Sequence, residues 1–426
     1  MLAVLPVAVL ASSPQRVALS ALIAAAYVGV ALVTVREAGR GRAVNRILIA
    51  YVALAAAWMV LAWLRSRFLL HLQPEQLDYA SSKAAYFVLV VLPMATAVAM
   101  IVDRAEAIWP TALSQVAIGG AVAVLTVALL GDRILGEERY SWQGNLIALG
   151  TVLAIQPWPI QKFKASVVIG VLGVAGIMLA DSRQSVVATI VAMFASAVYW
   201  TASRYIAERG TRWSRLRFAI SGRYVVLPLV LILLTCAYIG VTYAGAVGAH
   251  LSLPGVSVNA QPSSCHCVTD RIVSIQGNAG DRDKLLARGV HLFLSNPMFG
   301  AGLGSFAGAV PDSILAGHFY PYPHNVPLEI ASETGLLGVL VLLGPLLAGW
   351  AALFWAGVKQ ASAPIAIVLM FVAVFFTVAN VSGDIPSDRA LWIFGIVALR
   401  LAFRTADATG AESPRPVRTV GSKEAK

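Results

Sequence analysis

Residues 320–356 read YPYPHNVPLEIASETGLLGVLVLLGPLLAGWAALFWA. From Gly335 to Ala356 no charged side chain interrupts the run, and about 20 such residues suffice to cross the hydrocarbon core of a bilayer. In front of it stand His324, Asn325, Glu329 and Glu333, with prolines at 321, 323 and 327. A membrane helix with polar residues gathered at its mouth sets the problem for the whole chain.

The same apolar pattern recurs elsewhere. The 426 residues are 58% hydrophobic and 12% charged, whereas soluble domains carry about 25% charged residues. Twelve spans are expected, near residues 2–12, 17–35, 45–64, 83–102, 112–130, 143–157, 164–180, 184–203, 224–246, 325–356, 362–381 and 387–403. The first is short and lacks the basic start of a signal peptide, so it reads as a clipped or tilted helix. The fold class is an all-α polytopic membrane protein. Residues 1–246 hold helices one to nine, 247–324 a large outer loop with an amphipathic helix, 325–404 helices ten to twelve, and 405–426 a disordered basic tail.

Basic residues in short loops give the orientation. REAGRGRAVNR (36–46), SRYIAERGTRWSRLRFAISGR (203–223) and the tail from Arg404 all fall on one side of a twelve-span chain, which places both termini in the cytoplasm. The formal charge of +11 is then a topology signal with some attraction to anionic headgroups. Nucleic-acid binding would need a soluble basic domain, and the sequence has none. Cys236 falls within a span, while Cys265 and Cys267 fall in the outer loop. The C-H-C group has too few ligands for a closed zinc site, so these read as loop cysteines or a local disulfide.

Within the loop, DRDKLLARGVHLFLSN (281–296) puts Leu286, Val290, Phe293 and Leu294 on one helical stripe. Pro297 and the glycines at 300, 302 and 304 follow. With no preceding strand and no Lys-Ser/Thr after them, those glycines read as a tight turn and not as a phosphate loop.

All six histidines, at 71, 250, 266, 291, 318 and 324, fall on the outer side. His324 is the best placed to exchange a proton, with Asn325 suited to cap the following helix and Pro327 to its first turn. Glu329 and Glu333 lie one turn apart on one face. In the plainer alternative, His324 and Asn325 only cap a helix and the carboxylates meet arginines. Arg183, in ADSRQS, lies next to hydrocarbon, where a cation is costly unless it pairs or serves a site. Arg282 can point inward from the amphipathic helix, whereas Arg288 lies about 120° round from it. Guanidinium groups suit a lipid-linked diphosphate through paired hydrogen bonds, and a structural salt bridge with Asp181 or Glu333 is the alternative. Asp281-Arg282-Asp283 is a D-x-D that either holds a divalent cation or orients the arginine between.

Four stretches, YSWQGNLIALGTVLAIQP (140–157), MLADSRQS (178–185), GDRDKLLARGVHLFLSNPMFGAGLGSF (280–306) and PHNVPLEIASETGLLG (323–338), resemble the O-antigen ligase and O-antigen polymerase superfamily. The likeness covers about residues 85–400 and is greatest to the ligase branch. It implies a type-C glycosyltransferase-like membrane fold and a bacterial inner-membrane enzyme whose site faces the periplasm. It also implies transfer of a glycan from undecaprenyl diphosphate without metal or nucleotide cofactor. A ligase hands that glycan to lipid A–core; a polymerase passes it to another lipid-linked chain, and a protein O-oligosaccharyltransferase to a protein. The family pattern falls on Arg183, Arg282 and His324–Asn325, which implies a base at His324 and a diphosphate grip at Arg183 and Arg282; Asn325, Glu329, Glu333, Arg288 and Asp281 read as supporting residues. A transporter is the rival from another class, but carriers place ionisable groups near the bilayer midplane, and here only Glu333 lies well inside its helix.

Overall fold

The computed structural model of the protein describes residues 42–102, 145, 147–152, 171, 173, 183–208, 275–308, 322–381, 384–386 and 388–411. Expected spans 2–12, 17–35, 112–130 and 224–246, most of 143–157 and 164–180, all three cysteines, and His250, His266 and His318 lie outside these residues. The described elements are all helical: α1 (Arg42–Phe68), α2 (Pro74–Tyr86), a π turn (Phe87–Val91), α3 (Leu92–Ile101), α4 (Arg183–Glu208) and α5 (Ile275–Ser295). They continue with α6 (Ser305–Gly308), α7 (Val326–Leu342), α8 (Gly344–Gln360), α9 (Ala363–Val381) and α10 (Arg389–Ala411). Five stretches, Asn45–Phe68, Pro74–Met100, Gln184–Ile206, Val326–Gln360 and Ala363–Val381, are long and apolar enough to cross a membrane. The chain is a helical membrane protein.

α9 is apolar around most of its circumference and most of it is buried, as expected of a central helix. α4, α8 and α10 pack around it. Small residues set the closest approaches: a methyl group added at Gly349 of α8 would lie 2.7 Å from the Leu399 Cα of α10, the kind of contact that draws membrane helices together. α3 closes against α10, where the buried Arg400 donates to the Ala99 carbonyl. The Phe87 ring meets Trp392 edge-on at 4.8 Å.

Two expected boundaries move. The span read as 83–102 is the second part of a helix that starts at Pro74, with proline in the first turn where its missing N–H costs nothing. The helix passes through a π turn immediately before Pro93, and Leu92 N–H reaches back to the Phe87 carbonyl. Pro93 cannot donate to the carbonyl four residues earlier, and the wider turn absorbs that loss. Lys83, at the edge of the span by hydropathy, therefore lies about two and a half turns inside the helix. At the other end, α10 runs to Ala411. The expectation of a disordered tail from 405 gives way to helix as far as that residue; 412–426 lie outside the described residues.

The run read as one span, 325–356, is broken. Gly335 has φ 74° and ψ −172° inside α7, a conformation open essentially to glycine alone. A straight helix from Val326 to Gln360 would be about 52 Å long, far more than the ~30 Å of a bilayer core. The break at Gly335 turns the first nine residues of α7 into a separate segment, and the residues beyond it are enough for a crossing.

Candidate functional site

A break in a membrane helix frees backbone groups that need partners. Here the glycine loop after α5 supplies them. Leu336 N–H donates to the Pro297 carbonyl (2.7 Å) and Leu337 N–H to Met298 (3.3 Å). In return Ala301 N–H donates to the Ser332 carbonyl (2.8 Å) and Gly302 N–H to Glu333 (3.0 Å). The loop and the broken helix thus form a clasp. Gly300 has φ 68° and lies so close to the Glu333 backbone that a Cβ would overlap its carbonyl, which is why the turn expected there needs a glycine. Arg65, in the last turn of α1, holds the outside of the clasp, donating from Nη1 to the Phe299 (2.6 Å) and Gly300 (2.9 Å) carbonyls.

The clasp fixes α5 against α7. Gly289 faces Leu328, with only 2.8 Å left for a methyl group before the leucine Cδ2, while eight residues later Pro297 meets Leu336. The two helices therefore run side by side in the same direction. The buried face of α5 is Leu285, Gly289 and the partly buried Leu292. Of the apolar stripe, Phe293 is half-buried, while Leu286 is 37%, Val290 45% and Leu294 68% exposed. Gly289, with no side chain, lets Leu328 of α7 come close. Arg288 is exposed, as its angle around the helix predicts. Arg282 shares the register of Gly289, seven residues on. The side chains of Arg183, Asp281, Arg282 and Asp283 lie outside the described part of the structure.

α7 opens with the cap expected of it. Asn325 is extended (φ −151°, ψ 102°), and its side-chain oxygen accepts from Leu328 N–H at 2.8 Å. Its amide nitrogen points across to the Asn380 carbonyl of α9 at 3.2 Å. His324 sits in the left-handed region at φ 54°, a conformation that costs a non-glycine residue of order 1–3 kcal/mol and persists only when neighbours enforce it. The cap holds it from one side. From the other, the Tyr322 ring lies 4.3 Å from its imidazole, centroid to centroid. The histidine is half-buried at the helix mouth, open enough to exchange a proton.

Glu329 and Glu333 share a face, as their spacing predicts, but among the described residues neither meets an arginine. Both take Lys83 of α2: Nζ lies 2.5 Å from Glu329 Oε1 and 2.7 Å from Glu333 Oε2, and all three side chains are 0% exposed. The third face of the ammonium lies over the Tyr79 ring, 4.8 Å from its centroid. The second Glu329 oxygen accepts from Ile385 N–H at 2.9 Å. Buried charges cost several kcal/mol each unless paired; one ammonium here pairs both carboxylates, while Glu333 Oε1 makes no hydrogen bond. The described partner of Glu333 is thus a lysine. Lys83 and Arg65 escaped the sequence reading. A lysine inside an apolar run, in YASSKAAYFVLVV, was the available signal.

Arg183 begins α4. Near the other end of that helix, the Tyr199 hydroxyl donates to the Ser362 carbonyl at the start of α9, 2.8 Å away, so the two helices run antiparallel. Asn380, near the end of α9, and Arg183 are consequently at one end of the bundle, together with the His324 mouth.

Residues 168–343 match the family model described as O-Antigen ligase. No curated protein matches the chain. Arg183, Arg282, His324 and the whole clasp fall within the matched residues, so the segment that carries them is similar to the O-antigen ligase family.

Proposed function

We propose that the chain is an O-antigen ligase, moving a glycan from undecaprenyl diphosphate to lipid A–core at the periplasmic face of the bacterial inner membrane. The observation that carries this reading is the side-by-side, same-direction pairing of α5 and α7. Gly289 sits opposite Leu328. Going back along both helices, His324 comes about 6 Å before Leu328 and Arg282 about 10 Å before Gly289, at 1.5 Å per residue. A cationic residue and a half-buried histidine therefore fall at nearly one level, at the end of the bundle where α4 begins with Arg183.

In this reading the acceptor hydroxyl attacks the anomeric carbon of the donor from the face opposite the diphosphate. The carbon–oxygen bond to the diphosphate breaks, undecaprenyl diphosphate leaves, and the hydroxyl proton passes to His324. Arg183 and Arg282 offset the charge that builds on the leaving group. No metal or nucleotide cofactor takes part. Asn325 and the Lys83 cluster keep the helix mouth in shape, Asp281 orients Arg282, and Arg288 is peripheral. Twelve spans, both termini in the cytoplasm and a type-C glycosyltransferase-like arrangement complete the reading.

Incubation of the purified protein with a lipid-linked glycan and lipid A–core tests it. A ligated product on a gel is expected. Lengthened lipid-linked chains in the absence of lipid A–core would replace ligase by polymerase, and glycan on an added protein acceptor would replace it by protein O-oligosaccharyltransferase.

A further inference from the structure

We propose that Lys83 is a positioning residue for the transfer site, fixing the segment of α7 that carries His324 against the loop that carries the end of α5. The inference rests on the transfer reading for its functional half; its structural half stands on the contacts alone. Four chain segments meet around the Lys83–Glu329–Glu333 cluster. α2 supplies it, with Tyr79 one turn earlier beneath it. α7 supplies Glu329 and Glu333. Glu329 then reaches the loop between α9 and α10 through Ile385 N–H, and the Ile385 carbonyl in turn accepts from the Trp392 indole at 2.9 Å. Glu333 is tied to the glycine loop through its backbone carbonyl, which accepts from Gly302 N–H at 3.0 Å.

The segment of α7 before Gly335 needs such an anchor. It is only nine residues long, its backbone is interrupted at Gly335, and a helix that short has little stability of its own. His324, at its tip, occupies a backbone conformation that only its surroundings can enforce. Removing Lys83 would leave two buried carboxylates facing each other across one turn, and the segment would shift to bring water or protons to them. A displacement of about 1 Å at a reacting group can cost about a hundredfold in rate. Lys83 lies outside the family match at 168–343, so the anchor is this chain's own N-terminal helices acting on the matched segment.

The test compares wild type, Lys83→Met and Lys83→Arg as full-length protein in detergent or nanodiscs. Hydrogen exchange is followed by mass spectrometry, and transfer kinetics with a lipid-linked glycan and lipid A–core. In Lys83→Met, exchange should accelerate in 326–334, 298–308 and 384–386 while the centre of α9 stays protected. Turnover per folded molecule should fall about 10- to 100-fold with the donor KM changed less than about threefold, and Lys83→Arg should recover part of the loss. A purely structural role would lower the yield of folded protein and leave turnover per folded molecule unchanged, which overturns the proposal; so does unaltered exchange in 326–334. Should Lys83→Met fail to fold, Glu329→Gln, which keeps the shape and the Lys83–Glu333 pair, should show the same split between kcat and KM in smaller degree, and a wild-type rate there overturns the proposal. If wild type itself transfers nothing, the ligase reading has failed, and the exchange data alone then decide whether Lys83 anchors α7.

Discussion

Replacing Gly335 by alanine tests the clasp directly. The residue has φ 74° and ψ −172°, and an added Cβ would overlap the Met298 carbonyl and lie 2.5 Å from Gly300 N. Neither neighbour is a side-chain end that can swing aside. The backbone strain is of order 1–3 kcal/mol. If the loop withdraws, the bonds from Leu336 N–H to Pro297 and from Leu337 N–H to Met298 are lost as well, at about 0.5–1.5 kcal/mol each. The sum, about 2–6 kcal/mol, is a large part of the ~5–15 kcal/mol that stabilises a typical domain. Gly344 provides the control, because a Cβ there meets nothing within 4 Å. Gly335→Ala and Gly344→Ala would be compared for thermal unfolding in detergent and for transfer. Gly335→Ala should unfold several degrees lower and lose most activity, while Gly344→Ala should match wild type. Equal stability and activity in the two variants would show that the broken helix and its clasp are not as described.

The remaining predictions concern chemistry. His324→Ala should keep expression and fold but lose transfer by about 10² to 10⁴, the usual worth of a general base; near-normal turnover of quantified membranes would reduce it to a capping residue. Arg183→Ala and Arg282→Ala should each cost roughly ten- to a hundredfold, at about 1.5–3 kcal/mol per charged hydrogen bond, with lysine restoring only part. Arg288→Ala, exposed on α5, should stay near wild type. The double arginine variant should be non-additive, and fully independent losses would mean that the two do not share one phosphate group. Chelators should leave the rate unchanged; loss of activity that magnesium or manganese restores would make Asp281 and Asp283 metal ligands.

Much of the molecule follows from local pattern. Long uncharged runs become helices because no other structure satisfies the backbone within lipid, and all five candidate spans begin or end within about ten residues of runs legible by hydropathy. Asn325 as cap, Pro327 in the first turn and the shared face of Glu329 and Glu333 likewise depend only on neighbours one turn away. The glycines of 300–304 announced a turn for the same reason.

What the tertiary structure decided are the partners across the chain. Lys83 and Glu329 are 246 residues apart, Arg65 and Phe299 234, and no spacing rule connects such positions. The face of α5 that meets α7 does not follow from its apolar stripe, because a stripe records where apolar side chains lie and not where a glycine lets another helix come close. Gly335 was hidden inside an apolar run for a related reason: hydropathy adds up side chains, whereas the break is a backbone event that becomes stable only when the loop from Pro297 to Gly302 arrives to satisfy the groups it frees.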